Sequence, residues 1–440
     1  MKHNKLQSIS VFPVFFVIVL LFVAMSAQAQ KKQLSLKECL QTALENNYAL
    51  QIVKNETEIA ANNYTKANAG LLPTVDAAAR YAGGLSNYGS TSSENVKTST
   101  DFRMANGASA SVDASWDLFS GFKAQSKYAQ LRELKEAGDL KTRLAIETLI
   151  SNVVAEYYRL VQQVQHKQNL EFILSVSRER LYIVDINYEL GSRSRPELLQ
   201  AKVDFNSDSS ALVKHKQEIL ASQIKLKTLM GNLSEERFAP DSLIVLLPEL
   251  PLAELLEQTL NENTDLLIAA KQIEISEHDI AVMRANTLPY LRLNSGYNFA
   301  YNRYVGGATK RSYDNGLTYG LTLGMNLFDG GNRKRELHNA RIAKRNRELA
   351  QRELALNVEA KFREIYSSYV NNLELLRVER QNLKTAMENF EVAEERYRLG
   401  ELAGIDMREA QNSFQDAEKR LLDVEYNAKM DEISLMMLSG

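Results

Sequence analysis

Residues 317–328 read LTYGLTLGMNLF, with an apolar side chain at every odd-numbered position. Successive side chains of a β-strand point to opposite faces, so this period of two predicts a strand with one apolar and one polar face. Residues 108–119, ASASVDASWDLF, alternate in the same way, and shorter alternating runs occupy 75–81 and 291–302. The sequence therefore predicts four strands in two pairs. The members of each pair are joined by loops rich in Gly, Ser, Thr and Asn, at 82–104 and 303–315.

The chain carries an internal repeat. Leu118-Phe119 recurs 209 residues later, at 327–328, and Tyr188-x-Leu-Gly recurs at the same spacing, at 397–400. Such self-similarity is typical of a structural unit that occurs twice. We predict a signal peptide and two repeats joined by a Pro-containing linker; the boundaries are 1–29 for the signal peptide, 30–230 for the first repeat, 231–251 for the linker and 252–440 for the second repeat.

Helical periodicity fills the rest of each repeat. Narrow apolar seams with polar flanks run through 121–190 and 330–399, and 70 helical residues extend about 100 Å, longer than one globular core. Each long helix ends at a Gly-containing turn and a partner helix returns, which predicts two coiled-coil hairpins. A shorter continuous helix is expected before each strand pair. The return helices are predicted at 196–230 and 405–438, and the shorter helices at 35–69 and 252–287.

Composition and charge restrict the function classes. The 53 Lys and Arg residues balance 55 Asp and Glu residues, which removes the basic surface expected of a nucleic-acid-binding protein. An apolar run at 9–25, after two lysines and before Ala-Gln-Ala, is typical of a secretory signal peptide cleaved after Ala29. No HExxH, GxSxG or P-loop spacing surrounds the five histidines, so we expect neither an enzyme nor a cofactor or metal site.

Strand length and strand number bear on where the sheet lies. About 9 to 11 residues suffice for a tilted strand to cross a bilayer. Four strands cannot close a barrel, and open edges do not persist in lipid, so a membrane sheet requires several copies of the chain. A trimer would supply twelve strands around a wet interior and a dimer eight. A soluble sheet packed on the helices is the alternative. In the membrane reading, the lipid-facing residues are Trp116, Tyr297, Phe299, Tyr301, Tyr319 and Leu321.

These motifs together resemble the TolC family of outer-membrane efflux proteins. The resemblance rests on Leu-Leu-Pro at 71–73 and Leu-Pro at 288–289 before strands, on 117–121 and 326–330 after strands, and on 396–400 at a helix turn. It implies a mainly α fold with a membrane β portion, in which three copies share a twelve-stranded barrel and a helical tunnel with an equatorial belt. It also implies an outer-membrane location with a large periplasmic portion, and three partners: a periplasmic adaptor, an inner-membrane transporter and outer-membrane lipid.

The resemblance further assigns a periplasmic entrance. Tip turns at Gly191 and Gly400 would lie farthest from the barrel, and the family's acidic entrance positions fall on Asp406 and Glu409. Three copies of these carboxylates would form rings that attract cations. The remaining entrance residues are Tyr397, which matches a family tyrosine that links neighbouring coils; Leu402, which stands where some members carry a latching arginine; and Ile405, a candidate apolar constriction.

Two functions remain open at this point. The first is a passive outer-membrane channel for substrates exported by a pump and an adaptor. The second is a periplasmic coiled-coil adaptor or scaffold that uses its hairpins for partner contacts and forms no channel. The second function explains the helices but leaves the four alternating strands without a role.

Overall fold

The structure is a computed structural model, and it describes residues 32–94, 96–233, 238–240, 243–247, 250–305 and 309–440. The predicted signal peptide at 1–29 lies outside the described residues. The chain forms two compact units. One contains the described residues up to Gln51 together with Ile146–Leu256 and Lys361–Ser439, and the other contains Ile52–Ala145, Glu257–Ala360 and Gly440.

The same order of elements occurs in both halves of the chain: one three-residue strand, two short helices, two long strands and two long helices. The first half contains β1 (Lys32–Leu34), α1 (Leu36–Asn46), α2 (Tyr48–Asn63), β2 (Thr74–Thr91), β3 (Lys97–Phe119), α3 (Lys123–Glu189) and α4 (Arg195–Leu229). The second half contains β4 (Phe238–Pro240), α5 (Leu252–Glu262), α6 (Thr264–Ala285), β5 (Tyr290–Val305), β6 (Arg311–Gly324), α7 (Asn332–Arg398) and α8 (Gly404–Ser439). The predicted long hairpins and four strands are confirmed.

The prediction of one continuous helix before each strand pair is wrong. Asn47 separates α1 from α2 with a backbone at φ −65° and ψ 120°, and its side-chain oxygen accepts a hydrogen bond from the Leu50 amide at 3.0 Å. Asn263 separates α5 from α6 in the same way and accepts from the Leu266 amide at 3.3 Å. Asparagine side chains replace the helical partner of a nearby amide, which lets a new helix begin inside an apolar-periodic run.

The strands also differ from the predicted ranges. β2 and β3 extend through most of 82–104, and β5 and β6 through most of 303–315, although both segments were predicted as loops. An antiparallel ladder satisfies backbone groups whatever the side chains, so Gly- and Ser-rich residues can continue a strand. By contrast, β6 is shorter at its end than the alternating run predicts. It ends at Gly324, so 325–328 lie outside the sheet. These residues include Asn326, whose side chain was expected on the polar face.

The four long strands form one antiparallel sheet in the order β2-β3-β5-β6. Their lengths are 18, 23, 16 and 14 residues, each more than a tilted crossing of a bilayer requires. Within the described chain, the outer edges of β2 and β6 pair with no strand. The sheet is therefore open at both sides in a single protomer.

The linker contributes a small parallel pairing that the sequence did not predict. Lys32 pairs with Phe238 and Leu34 with Pro240, which joins β1 to β4. Segment 243–247 contacts α8, where Glu432 accepts a hydrogen bond from the Leu247 amide at 2.9 Å. These contacts bring the predicted linker and the last helix together within one unit.

The seams of the long helices are buried as expected. Val153, Tyr157 and Leu160 on α3 are completely buried, as are Phe362 and Tyr369 on α7. No helix in the described ranges combines the length and the apolar character that a bilayer crossing requires.

Candidate functional site

The two hairpins end in closely similar turns. Gly191 has φ 76° and follows α3, and Gly400 has φ 81° and follows α7. The Gly191 amide donates a hydrogen bond to the Tyr188 backbone carbonyl at 3.0 Å, and the Gly400 amide donates to the Tyr397 backbone carbonyl at 3.0 Å. Both turns end a helix with a left-handed residue, a conformation that glycine adopts without strain. We define the tip as residues 187–198 and 396–409.

The first half of the tip holds its carboxylate in place. Glu197 accepts hydrogen bonds at 2.8 Å from the Ser194 amide, from the Ser194 hydroxyl and from the Arg193 guanidinium. The hydrogen bond from the Ser194 backbone, followed by the Arg193 bond, lowers the pKa of Glu197 to about 2. Glu197 is therefore the third residue of a capping box at the start of α4, whose N-cap is Ser194, and it is engaged within its own hairpin.

The second half of the tip presents its carboxylates to solvent. Asp406 is the counterpart of Glu197 in the repeat, and both Asp406 and Glu409 are exposed on the first turns of α8. None of the ion pairs found in the described ranges of the protomer includes either residue. Ile405, beside them, is 77% exposed. The structure thus brings these three predicted entrance residues to one exposed helix start.

Tyr397 and Leu402 occupy a different environment. Tyr397 is 6% exposed and belongs to an apolar cluster with Phe390, Met407 and Phe414, against which Leu402 packs. Burial raises the pKa of the Tyr397 phenol. The Arg193 guanidinium lies over the Tyr397 ring, 5.9 Å from its centre. Both residues therefore belong to the core of the tip rather than to its exposed surface.

A largely buried polar network connects α8 with α3 and α4. Arg408 donates to both oxygens of Asp208, at 2.7 and 2.8 Å, and these bonds raise the pKa of the guanidinium. Gln411 donates to Ser177 at 3.1 Å, and Ser177 donates to Asp208. A two-bond pairing of Arg with a carboxylate fixes both distance and orientation. The network consequently locks α8 against α3 and α4 just below the exposed carboxylates.

A cavity of about 350 Å³ opens beside the network. Arg180 is buried there and donates through one nitrogen to Asp204, while its Nε and Nη1 atoms have no partner among the described residues. The residues around the cavity include Arg180, Arg193, Glu197, Asp204, Tyr397 and Ile405.

Sequence reasoning missed Arg193 and the buried network. A usable signal existed for part of it: Ser177 and Arg180 continue the seam of Ile173 and Val184 at spacings of three and four residues. A polar residue inside an apolar seam indicates a buried partner on a facing helix. No comparable signal marks Arg193, whose partners are set by the turn geometry.

The two faces of the four-stranded sheet carry different side chains, apolar on one face and polar on the other. The register pairs Trp116 with Leu293 and Leu293 with Leu321; it also pairs Val112 with Tyr297. Residues directly opposite each other share a face, so all six predicted lipid-facing residues lie on one face, and all six are exposed. The opposite face is polar; it carries Asp113, Ser111, Asn298, Asn294, Arg292 and Thr318.

Metal-binding geometry is not found in the part of the chain that the structure describes. No group of three or more His, Cys, Asp or Glu side chains there is placed to hold a metal ion.

Known proteins match this chain along both halves. The sequence profile of the family described as Outer membrane efflux protein matches residues 39–232 and 255–440. Outer membrane protein TolC of Vibrio cholerae is 22% identical over 424 residues, covering 92% of this chain and 90% of that protein. Cation efflux system protein CusC of Escherichia coli is 23% identical over 425 residues, covering 92% and 86%. The structure of the Campylobacter jejuni CmeC outer membrane channel matches with a TM-score of 0.77 at 18% identity, covering 92% and 85%.

Proposed function

The chain belongs to the outer membrane efflux protein family, and from this membership we propose that it is an outer-membrane channel that passively conducts exported substrates. Its strands cross the outer membrane and its helical hairpins extend into the periplasm as a tunnel. The function is transport without catalysis. No resident cofactor or nucleic acid takes part.

One observation carries the membrane assignment: the open sheet has an exposed apolar face and a polar face. Tyr319 is 82% exposed and Leu321 is 62% exposed, on strands long enough to cross a bilayer. Such a face is costly in water and is stabilised in lipid. The polar face then lines an aqueous lumen, in the alternation known from outer-membrane barrels.

Closure of the barrel requires further copies of the chain. Hydrogen-bonding edges of a sheet must be paired in hydrocarbon, and β2 and β6 each offer such an edge. Because neighbouring strands are antiparallel, β6 of one copy lies antiparallel to β2 of the next, and rotation symmetry closes the ring. We propose a homotrimer with twelve strands, in which the repeats at 30–230 and 252–440 and the linker at 231–251 occupy corresponding places in every copy.

The helices offer matching surfaces for assembly. Exposed apolar residues follow α4 at coiled-coil spacings: Leu199, Val203, Val213, Leu220 and Ile224. An apolar seam that is exposed in the protomer favours packing against another helix. The neighbouring copy of the chain supplies that helix in the proposed trimer.

The tip is the proposed periplasmic entrance. Asp406 and Glu409 are exposed and three residues apart, so they share one helical face. Three copies would place six carboxylates around the axis, a charge pattern that attracts cations and repels anions. Ile405 narrows the same opening, Tyr397 and Leu402 pack the tip behind it, and the turns at Gly191 and Gly400 end the tunnel.

The partners follow from the same architecture. A passive tunnel has no energy source, so an inner-membrane transporter supplies the driving force and a periplasmic adaptor connects it to the tip. Outer-membrane lipid surrounds the barrel.

Single-channel recording of the purified chain in planar lipid bilayers tests the proposal. We expect stepwise conductance and, in detergent, a particle with three chain masses. An adaptor or scaffold would instead stay in aqueous buffer without detergent and leave the bilayer silent. A water-soluble monomer without conductance would contradict the channel.

A further inference from the structure

Phe122 has an unusual backbone for its residue type. Its φ is 67°, and it is the one non-glycine residue with a positive φ in the described ranges. A left-handed conformation brings Cβ of a bulky residue close to the backbone and is unfavourable. Such a conformation persists where surrounding contacts or a functional role compensate for its energetic cost.

The second repeat shows that the turn itself does not need a phenylalanine. Gly331 is the counterpart of Phe122, with φ 82°. Both residues begin a long helix by accepting a backbone hydrogen bond, Phe122 from Ser126 at 3.0 Å and Gly331 from Arg335 at 3.1 Å. The geometry of the two junctions is thus equivalent, and glycine meets it without strain. The backbone of this turn therefore does not account for an aromatic side chain at position 122, whereas the contacts of the ring do.

The Phe122 ring continues the apolar face of the sheet. It packs edge to face on Phe119, with ring centres 5.2 Å apart, and Phe122 is 59% exposed. The register between β3 and β5 shifts at Leu118, which places Phe119 opposite Leu291. Leu291 in turn pairs with Leu323 on the face that carries Trp116. The left-handed backbone therefore extends this face beyond the end of β3.

Basic residues occupy the first turns of both long helices that follow the strands. Lys123 is exposed and follows Phe122 directly, and Lys334 and Arg335 occupy the equivalent turn of α7. The first turns of α3 and α7 contain no acidic residue. Positive charge at a helix start opposes the helix dipole, so this arrangement favours anionic groups nearby.

We propose that Phe122 is a membrane anchor that inserts its ring at the boundary between acyl chains and headgroups of the phospholipid leaflet on the helical side. Aromatic rings are stabilised at this depth, and Lys123, Lys334 and Arg335 reach the headgroup phosphates. The anchor sets the depth at which the sheet passes into the helices. This inference rests on the proposed outer-membrane barrel.

The test uses the native protein, whose single tryptophan is Trp116, as the reference for a residue on the apolar face of the sheet. The full-length protein is reconstituted in vesicles of phosphatidylethanolamine and phosphatidylglycerol that contain phosphatidylcholine brominated near either the headgroup or the chain ends. Reporters are the native protein, Trp116→Phe with Phe122→Trp, and Trp116→Phe with Phe172→Trp. Phe172 is an exposed residue fifty positions further along α3.

We expect the tryptophan at 122 to lose about half of its emission to bromine near the headgroups and less to bromine near the chain ends, as an interfacial ring does. The tryptophan at 172 should be quenched by aqueous acrylamide and not by bromine. The anchor is overturned if bromine does not quench the tryptophan at 122 while it does quench Trp116. If aqueous acrylamide also does not quench the tryptophan at 122, the ring is covered by a second copy of the chain. If Trp116 itself is not quenched, the proposed membrane location fails.

Phe122→Gly provides a second measurement if the tryptophan variant does not assemble. This substitution places at position 122 the glycine that the second repeat has at Gly331, and it removes the strain of a left-handed backbone at a bulky residue. We expect an unchanged or higher thermal midpoint in detergent and a several-fold lower yield of insertion into vesicles. Native-level insertion would contradict the anchor.

Discussion

The guanidinium carbon of Arg193 lies 5.9 Å from the centre of the Tyr397 ring, and the same guanidinium donates to Glu197 at 2.8 Å. One side chain thereby connects the turn after α3 with the end of α7 and with the first turn of α4. The proposed entrance is held together within each protomer by this contact, while Asp406 has no such partner among the described residues.

Arg193→Ala should loosen the tip. The ring contact and the partly exposed ion pair together contribute about 1 kcal/mol, so hydrogen exchange of amides at 188–200 and 397–407 should accelerate about fivefold. Arg195→Ala is the matched control, because Arg195 is exposed two positions away. Equal acceleration in both variants would mean that Arg193 has no specific role.

Removal of the two exposed carboxylates should change ion selectivity. In the proposed trimer, Asp406→Ala with Glu409→Ala takes six charges from the entrance, and we expect block of single-channel current by multivalent cations to disappear. Recording in planar bilayers measures this. Glu401→Gln neutralises an exposed carboxylate in the turn that precedes α8 and should keep the block. Undiminished block in the double variant would exclude Asp406 and Glu409 from the gate.

A buried carboxylate in the unit that contains the sheet makes stability depend on pH. Glu133 is 3% exposed, and Lys271 donates to it at 2.7 Å. This bond is the main reason why the pKa of Glu133 is lowered from 4.5 to about 2. A lowered pKa in the folded state stabilises the fold above pH 4.5, and the contribution disappears as the pH falls toward 2.

Lys271→Met should lower the stability above pH 4.5 by about 2 kcal/mol, because it removes the main partner of a buried carboxylate, which then keeps Arg132 at 2.9 Å. The difference from the native protein should shrink as the pH falls toward 2. Unfolding in detergent across this pH range is the measurement. Lys361→Met, which breaks an exposed pair with Glu364, should cost about 0.5 kcal/mol or less at every pH. A pH-independent deficit for Lys271→Met would refute the linkage.

Two glycines with similar backbones should respond differently to alanine. At Gly191, an added Cβ would meet no neighbouring atom within 4 Å, so Gly191→Ala should cost about 1 kcal/mol for the left-handed backbone alone. At Gly121 the added Cβ would lie 2.6 Å from the Ala285 carbonyl oxygen and 2.8 Å from Leu288 Cβ. Gly121→Ala should therefore cost about 3 kcal/mol or more, measured by thermal unfolding. Similar losses at both positions would show that steric crowding at Gly121 is relieved by movement.

Some features were predictable because they depend on local periodicity. The long helices begin and end within two residues of their predicted ranges, since an apolar seam continues as long as a partner helix covers it. The shared face of Trp116, Tyr297 and Phe299 follows from the period of two. Breaks at Asn47 and Asn263 were missed, because a single side-chain hydrogen bond leaves the apolar pattern unchanged.

By itself, the sequence determined the doubled order of the helices and long strands and the face on which the residues of the alternating runs lie up to the register shift at Leu118, because backbone geometry converts residue spacing directly into direction. Only the tertiary structure decided that Glu197 is engaged while Asp406 is exposed, that Arg193 lies over Tyr397, and that Phe122 extends the apolar face. Those outcomes depend on the conformation of individual turns and on partners up to two hundred residues away. Residue spacing carries no information about such partners.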